Sequence, residues 1–184
     1  VYTTGTLTGE NAIPGQFNTN NITSVDGGKE GKGLKFASDT AFTPILTKNR
    51  NRMYMSYDVY VDDSVHPYIT ITGTNGGWDQ LVMLSKRNKW SFFCQQGGIN
   101  YATIDGWYHV ELKLEANNDK LSGTAVYTNP NGNKKVIDIS DRTGVDGSFR
   151  GEIGTVTFQA NGAGEAIYDN VLIEFGTETE PALN

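Results

Sequence analysis

The sequence predicts an all-β protein, an antiparallel β-sandwich in a single domain. Three observations carry that prediction. Apolar and polar residues alternate with a period of two in stretch after stretch. Turn-forming pairs cut the chain into short segments at regular spacing. No long segment shows the helical period, so no crossover helix is available for parallel strands.

The clearest strand is 53–62, where Met53, Met55, Tyr57, Val59 and Val61 alternate with Tyr54, Ser56, Asp58 and Tyr60. In the same way Ile69 and Ile71 alternate with Tyr68, Thr70 and Thr72. Tyr108, Val110, Leu112 and Leu114 alternate with Trp107, His109, Glu111, Lys113 and Glu115. Val156, Phe158 and Ala160 alternate with Thr157, Gln159 and Asn161. One apolar and one polar face is the signature of an antiparallel layer that covers a core on one side only. Turn chemistry at Asn75-Gly76-Gly77, Gln96-Gly97-Gly98, Asp105-Gly106, Asn117-Asn118-Asp119 and Asn131-Gly132-Asn133 sets the boundaries. Strands are then expected near 32–38, 53–62, 67–73, 79–86, 89–96, 107–116, 121–128, 134–140, 152–160 and 166–175.

Composition narrows the function classes. The chain has 184 residues, enough for one domain with a sizeable core. Its formal net charge of −6 does not suit a phosphate backbone, which argues against nucleic acid as a partner. No basic amphipathic segment is present to hold an anionic membrane, and no apolar run reaches spanning length. Cys94 is the one cysteine, so no internal disulfide is possible, and its apolar setting reads as a small core residue. No signal peptide is visible, and Val1 reads as a mature or engineered boundary. Residues 1–176 are expected to form the sandwich. Residues 177–184 read as the start of a linker, as in a monomeric module tethered to a larger protein.

Three segments resemble bacterial carbohydrate-binding modules of the jelly-roll, concanavalin-like kind. Gly31-Lys32-Gly33-Leu34-Lys35-Phe36 is similar to their early strand. Gly106 to Leu114 (GWYHVELKL) is similar to the strand that begins their long hairpin. Ala166 to Ile173 (AIYDNVLI) is similar to their terminal strand. The resemblance covers about residues 30–175 and is one of layout. It implies a jelly roll, a secreted or cell-surface setting, and attachment to an enzyme that degrades hemicellulose or pectin. Laminin-G-like domains and some polysaccharide lyases share such strands, so function has to come from a site.

Aromatic rings among hydrogen-bonding side chains are the best sign of one. A sugar presents flat C–H faces for stacking, and its hydroxyls need polar partners. Between residues 66 and 103, Tyr68, Trp78, Trp90 and Tyr101 supply rings. Thr70, Thr72, Asn75, Asp79, Gln80, Gln95, Gln96 and Asn100 supply polar groups. The competing reading is that the rings fill the core. It is stronger for Trp90 and Trp107, which open strands. Trp78, after two glycines, and Tyr101 are expected to be exposed and required for binding. A second polar stripe, from Tyr54, Ser56, Asp58, Tyr60, Thr70, Thr72, Thr157, Gln159 and Asn161, lines one cleft if its strands share a sheet. The reading as an ordinary solvated face stands beside it. His109, Glu111, Lys113 and Glu115 read as a plain solvated stripe. Lys86, Arg87 and Lys89 read as a soluble turn, with a role toward an acidic sugar as the alternative.

The resemblance also implies a structural calcium ion between an early loop and the aspartate of the terminal strand. Asp169 matches that position, with its side chain expected to point inward beside Ile167 and Val171. Glu10, Asn11, Asp26 and Glu30 are the partners from the N-terminal segment. No calcium-loop motif supports this from the residues themselves.

Catalysis is weakly supported. A glycoside hydrolase needs two carboxylates across a cleft. The E-x-D-x-x-E strand of the concanavalin-like hydrolases is absent, and Glu111/Glu115 and Asp62/Asp63 are the nearest pairs. A polysaccharide lyase needs a His or Tyr base, and only His66 and His109 exist. No G-x-S-x-G elbow is present. The expected function is non-catalytic binding of plant cell-wall polysaccharide, xylan first, then mannan or pectin. The rivals are a small lyase or hydrolase, and a protein-adhesion domain.

Overall fold

A computed structural model describes residues 15–17, 22–37, 40–44, 50–81, 83–85, 90–92, 104–162 and 165–176. Among these lie fourteen strands and one short 3-10 turn at Val145–Gly147. The strands are β1 (Gly15–Phe17), β2 (Ile22–Gly28), β3 (Gly31–Ala37), β4 (Thr40–Pro44), β5 (Arg52–Val61), β6 (Val65–Gly73) and β7 (Trp78–Leu81). They continue as β8 (Met83–Ser85), β9 (Trp90–Phe92), β10 (Gly106–Asn117), β11 (Lys120–Thr128), β12 (Lys134–Arg142), β13 (Ile153–Gly162) and β14 (Glu165–Phe175).

They form two antiparallel sheets and a small ribbon. The five-stranded sheet has the order β1-β4-β13-β6-β7, and the seven-stranded sheet β12-β11-β10-β5-β14-β3-β2. The ribbon is β8-β9. The chain therefore weaves between layers. β13 enters between β4 and β6, and the next strand, β14, enters between β5 and β3. This is the expected all-β sandwich.

The core lies between the sheets and is built by the alternation. From β5 it takes Met53, Met55, Tyr57, Val59 and Val61, and from β10 Tyr108, Val110, Leu112 and Leu114. From the other sheet it takes Ile69, Ile71, Val156 and Phe158. Its centre is a knot of rings. Phe36 meets Phe158 edge-on at 5.0 Å, and Tyr168 lies 4.8 Å from Phe36 and 5.2 Å from Phe158. Tyr57 closes the group at 5.5 Å from Tyr168. Such edge-on and tilted contacts suit the ring quadrupole.

One ion pair crosses the core at its rim. Asp79 of β7 points inward in register with Ile71 and is fully buried. Arg142 of β12 reaches it from the opposite sheet, with Nη2 and Nε 2.8 and 3.0 Å from its two carboxylate oxygens. Edge strands of the two layers are thereby joined by a bidentate bond.

Three elements depart from the sequence-based expectation. β1, β2 and β4 were not expected. β2 (ITSVDGG) is an edge strand with no fully buried residue, and among the described side chains of β4 only Phe42 is buried, so neither shows an alternation. The segment 79–86 divides into β7 and β8. The polar stripe expected on one sheet is split. β5 belongs to the seven-stranded sheet, whereas β6 and β13 belong to the five-stranded one. Tyr54, Ser56, Asp58 and Tyr60 thus face away from Thr70, Thr72, Thr157 and Gln159.

Candidate functional site

Each sheet has an outer face, and the two differ in chemistry. On the five-stranded sheet the register stacks residues in rows across β13, β6 and β7. Thr157, Thr70 and Gln80 form one row, and Thr155, Thr72 and Trp78 the next. Gln159 lies opposite Tyr68 on the other side. Parity puts these side chains outward, because Val156, Phe158, Ile69, Ile71 and Leu81 take the inner positions. The face is uncharged over these rows.

Its polar groups are already organised. Thr70 donates to Oε1 of Gln159. The hydroxyls of Thr72 and Thr155 lie 2.5 Å apart, and the Thr155 N–H donates to Thr72 Oγ1 at 3.0 Å. Thr70 is buried although it points outward, while Tyr68 and Gln80 are half-buried. Trp78 is 42% exposed at the rim, a large ring open to solvent.

The position of Trp78 is built by glycine. The turn after β6 closes with Gly73 N–H donating to Gly77 O at 3.0 Å. Gly77 has φ 72°, and a Cβ there would lie 1.8 Å from the Ser148 carbonyl oxygen. No other residue fits both constraints. The loop 148–152 braces the same turn, since Arg150 N–H donates to Gly76 O at 3.0 Å and Thr74 N–H to Glu152 O at 2.8 Å. Asn75 is exposed in this turn.

Five of the sequence-derived binding residues therefore share one face: Tyr68, Thr70, Thr72, Trp78 and Gln80. Asn75 lies beside them in the exposed turn. Asp79 does not join them, because it points into the core toward Arg142. Trp90 opens β9, paired in backbone register with Ser85. Tyr101, Gln95, Gln96, Asn100, Lys86, Arg87 and Lys89 lie outside the described residues, as does Cys94.

The outer face of the seven-stranded sheet is charged and recessed. Asp58, Glu111, Asp169 and Glu174 point outward from β5, β10 and β14, yet each is less than 8% exposed. The expectation of a plain solvated stripe fails here. His109 spans the neighbouring carboxylates, with Nδ1 2.9 Å from Asp58 and Nε2 3.4 Å from Glu111. Glu111 is 3% exposed because Ser56 of β5 lies opposite it and His109 leans across. Glu115 pairs loosely with Arg52 at 3.8 Å, nearer the solvated reading.

Asp58 is the hub. It accepts from Lys29 Nζ at 2.9 Å and from Asn170 Nδ2 at 2.8 Å, and it meets His109 as above. Burial pushes its carboxyl up, but the bonds from His109, Asn170 and Lys29 and the charge of His109 outweigh burial and bring it down to about 2. A bulge supplies Asn170. Between Asp169 and Leu172 the register of β14 against β5 shifts, and Asn170 takes φ 50°.

That bulge also corrects the reading of Asp169. Its side chain does not point inward beside Ile167. Ala166 and Tyr168 hold the inner positions before the bulge, and Val171 and Ile173 hold them after it. Asp169 accepts from the Glu30 N–H at 3.1 Å and from the Asn170 N–H at 2.8 Å. The early loop and the terminal strand do meet, but the backbone of Glu30 makes the contact, not its carboxylate. Among the described residues no three His, Cys, Asp or Glu side chains are grouped as a metal site requires. Glu10 and Asn11 lie outside them.

The other sequence-derived candidates take structural parts. His66 is the second residue of β6 and is buried. Asp62 Oδ1 accepts from Ser64 N–H at 2.7 Å and Val65 N–H at 3.2 Å, so it shapes a turn. Trp107 stands on the charged face, edge-on to Tyr60 at 5.6 Å. Glu174 was missed by sequence reasoning. Its only signal is one acidic residue between Ile173 and Phe175.

No family model matches the chain, and no curated protein matches it in sequence. Among solved structures it is similar to a Lotus tetragonolobus seed lectin isoform, with a TM-score of 0.52 at 11% identity. The match covers 97% of this chain and 98% of that one. At that identity the likeness shows a shared lectin-like β-sandwich fold.

Proposed function

We propose that this domain binds a neutral polysaccharide, without chemistry, on the outer face of its five-stranded sheet. One observation carries the reading. Tyr68, Thr70, Thr72, Trp78 and Gln80 come together on adjacent strands as an uncharged face with an open indole at its rim. Trp78 offers the stacking platform, and the threonine hydroxyls and glutamine amides offer the polar partners that fix a sugar's orientation. The fold supports this indirectly, since the neighbour is titled a lectin. The resemblance of residues 31–36, 106–114 and 166–173 to bacterial carbohydrate-binding modules points the same way. It extends the proposal to an extracellular module that holds an attached enzyme on β-linked hemicellulose, xylan first, then mannan or pectin. Calcium belongs to the proposal as a structural ion, with Glu10 to be tested as a ligand.

Affinity gel electrophoresis against soluble xylans, mannans, β-glucans and pectins, with and without chelator, tests it. The wild type is expected to be retarded by a neutral β-glycan without releasing product. Trp78→Ala and Tyr68→Ala should each weaken retardation on the order of tenfold while the fold persists. Normal binding by both variants removes this face as the site. Release of unsaturated or reducing ends makes the domain an enzyme.

A further inference from the structure

We propose that two copies of this chain pair edge to edge through β12, antiparallel, with Val136 on the two-fold axis. β12 ends the seven-stranded sheet, and among the described residues no strand pairs with its outer edge. Its alternation is regular from Lys134 to Ile139. Ile137 and Ile139 point into the core, whereas Lys134, Val136 and Asp138 point outward and are exposed. Val136 is 60% exposed, and with Trp78 it is one of two large apolar residues open to solvent among the described ones. Further along, the register against β11 shifts between Leu121 and Gly123, and Asp141 takes φ 49°. Residues 134–139, before that bulge, keep an even register and a pairable edge.

The charge pattern selects the partner. An edge strand without proline invites another strand, and lysines alone would deter it. Here the outward row reads Lys134, Val136, Asp138: a positive, an apolar and a negative residue at successive steps. Laid antiparallel on a second copy with Val136 opposite Val136, this row sets Lys134 opposite Asp138 at both ends. A slip of two residues either way puts Val136 opposite a charge. A slip of four sets Lys134 opposite Lys134, or Asp138 opposite Asp138. The strand is thus complementary to itself in one register, as a two-fold interface requires, and the occupant is a second copy. A strand pair of this length is a small interface, so monomer and dimer should exchange. The axis stands perpendicular to the joined sheet, so the two five-stranded sheets face the same way. Resting on the proposed glycan-binding face, the dimer then presents two such faces on one side. A polymer that reaches both gains avidity that a short oligosaccharide does not.

The test is sedimentation velocity over a concentration series reaching about 0.5 mM. Physiological salt screens the net charge of −6. The wild type should shift from monomer to dimer mass. Lys134→Asp sets carboxylate against carboxylate at both ends, and Asp138→Lys sets ammonium against ammonium. Each should weaken dimerisation roughly tenfold. An equimolar mixture of the two variants restores opposite charges at both ends and should dimerise like the wild type. A variant that had merely failed to fold would not recover on mixing. A wild type monomeric throughout the series, single variants that dimerise like the wild type, or a mixture that stays monomeric overturns the pairing. Glycan binding separates this proposal from the one it rests on. The wild type should hold the polymer roughly tenfold more tightly than Lys134→Asp does, with equal affinity for short oligosaccharides. Equal affinity for the polymer overturns the avidity. A dimer that binds no glycan upholds the pairing and removes the proposed glycan-binding face.

Discussion

Asp58 holds three donors from three different places: a turn, a bulge and a neighbouring strand. Its carboxyl, brought down to about 2, makes a definite statement about pH. A carboxyl whose folded value lies below its unfolded one stabilises the fold above the unfolded value, and that stabilisation is lost as pH falls through the folded one. The window here runs from about pH 4 down to about pH 2. Asp58→Asn should cost about 2 kcal/mol at pH 7, and the deficit should shrink on acidification toward the bottom of that window. Urea unfolding of both proteins at pH 7 and pH 3 checks this. An equal deficit at both values would mean that packing, not charge, explains it. Tyr168 gives the opposite case. Its hydroxyl is buried without a hydrogen-bond partner. Tyr168→Phe should leave stability unchanged or raise it by about 1 kcal/mol, read from the same unfolding curves.

Elements explain how much of this was readable in the sequence. Strands that bury one face announced themselves. β5, β6, β10 and β13 lie within two residues of their expected limits where the alternation is strong. β2 and β4 did not, because a short strand with at most one described side chain fully buried leaves no period to read. The neutral face was legible in its members, since Tyr68, Thr70, Trp78 and Gln80 lie close in the chain on one hairpin. The charged face was not. Its burial depends on which strands adjoin β5, and strand order is not written in local pattern. Asp79 misled for a related reason. It has the chemistry of a sugar contact, but its place in β7 is an inner one, and its partner lies 63 residues away. Asp79→Ala would strand the Arg142 guanidinium at the rim of the core, and should destabilise by about 3–5 kcal/mol. Replacing both partners with apolar residues of similar volume should recover much of that loss in thermal unfolding. If the single and double variants melt alike, the buried charge is not what costs.

The whole molecule carries a net charge of −6, and this bears on which polymers it meets. Long-range repulsion opposes a polyanion and is indifferent to a neutral glycan. Retention on a neutral xylan should therefore change less than about twofold as salt rises from roughly 20 to 500 mM. Retention on a uronate-rich pectin should strengthen over the same range. Salt-weakened binding to pectin would point instead to a local cationic contact.

The weaving of the last two strands has a consequence for how the molecule is made. β13 and β14 are neighbours in sequence but occupy interior positions of different layers, between β4 and β6 and between β5 and β3. A nascent chain that has reached residue 150 already holds β12, β11, β10 and β5 as neighbours in one layer, but lacks the strands that join β4 to β6 and β5 to β3. Synthesis is vectorial, so neither layer can be completed while β13 and β14 are still to come. Each layer stays in two paired pieces until the stretch 153–175 has emerged and joins them.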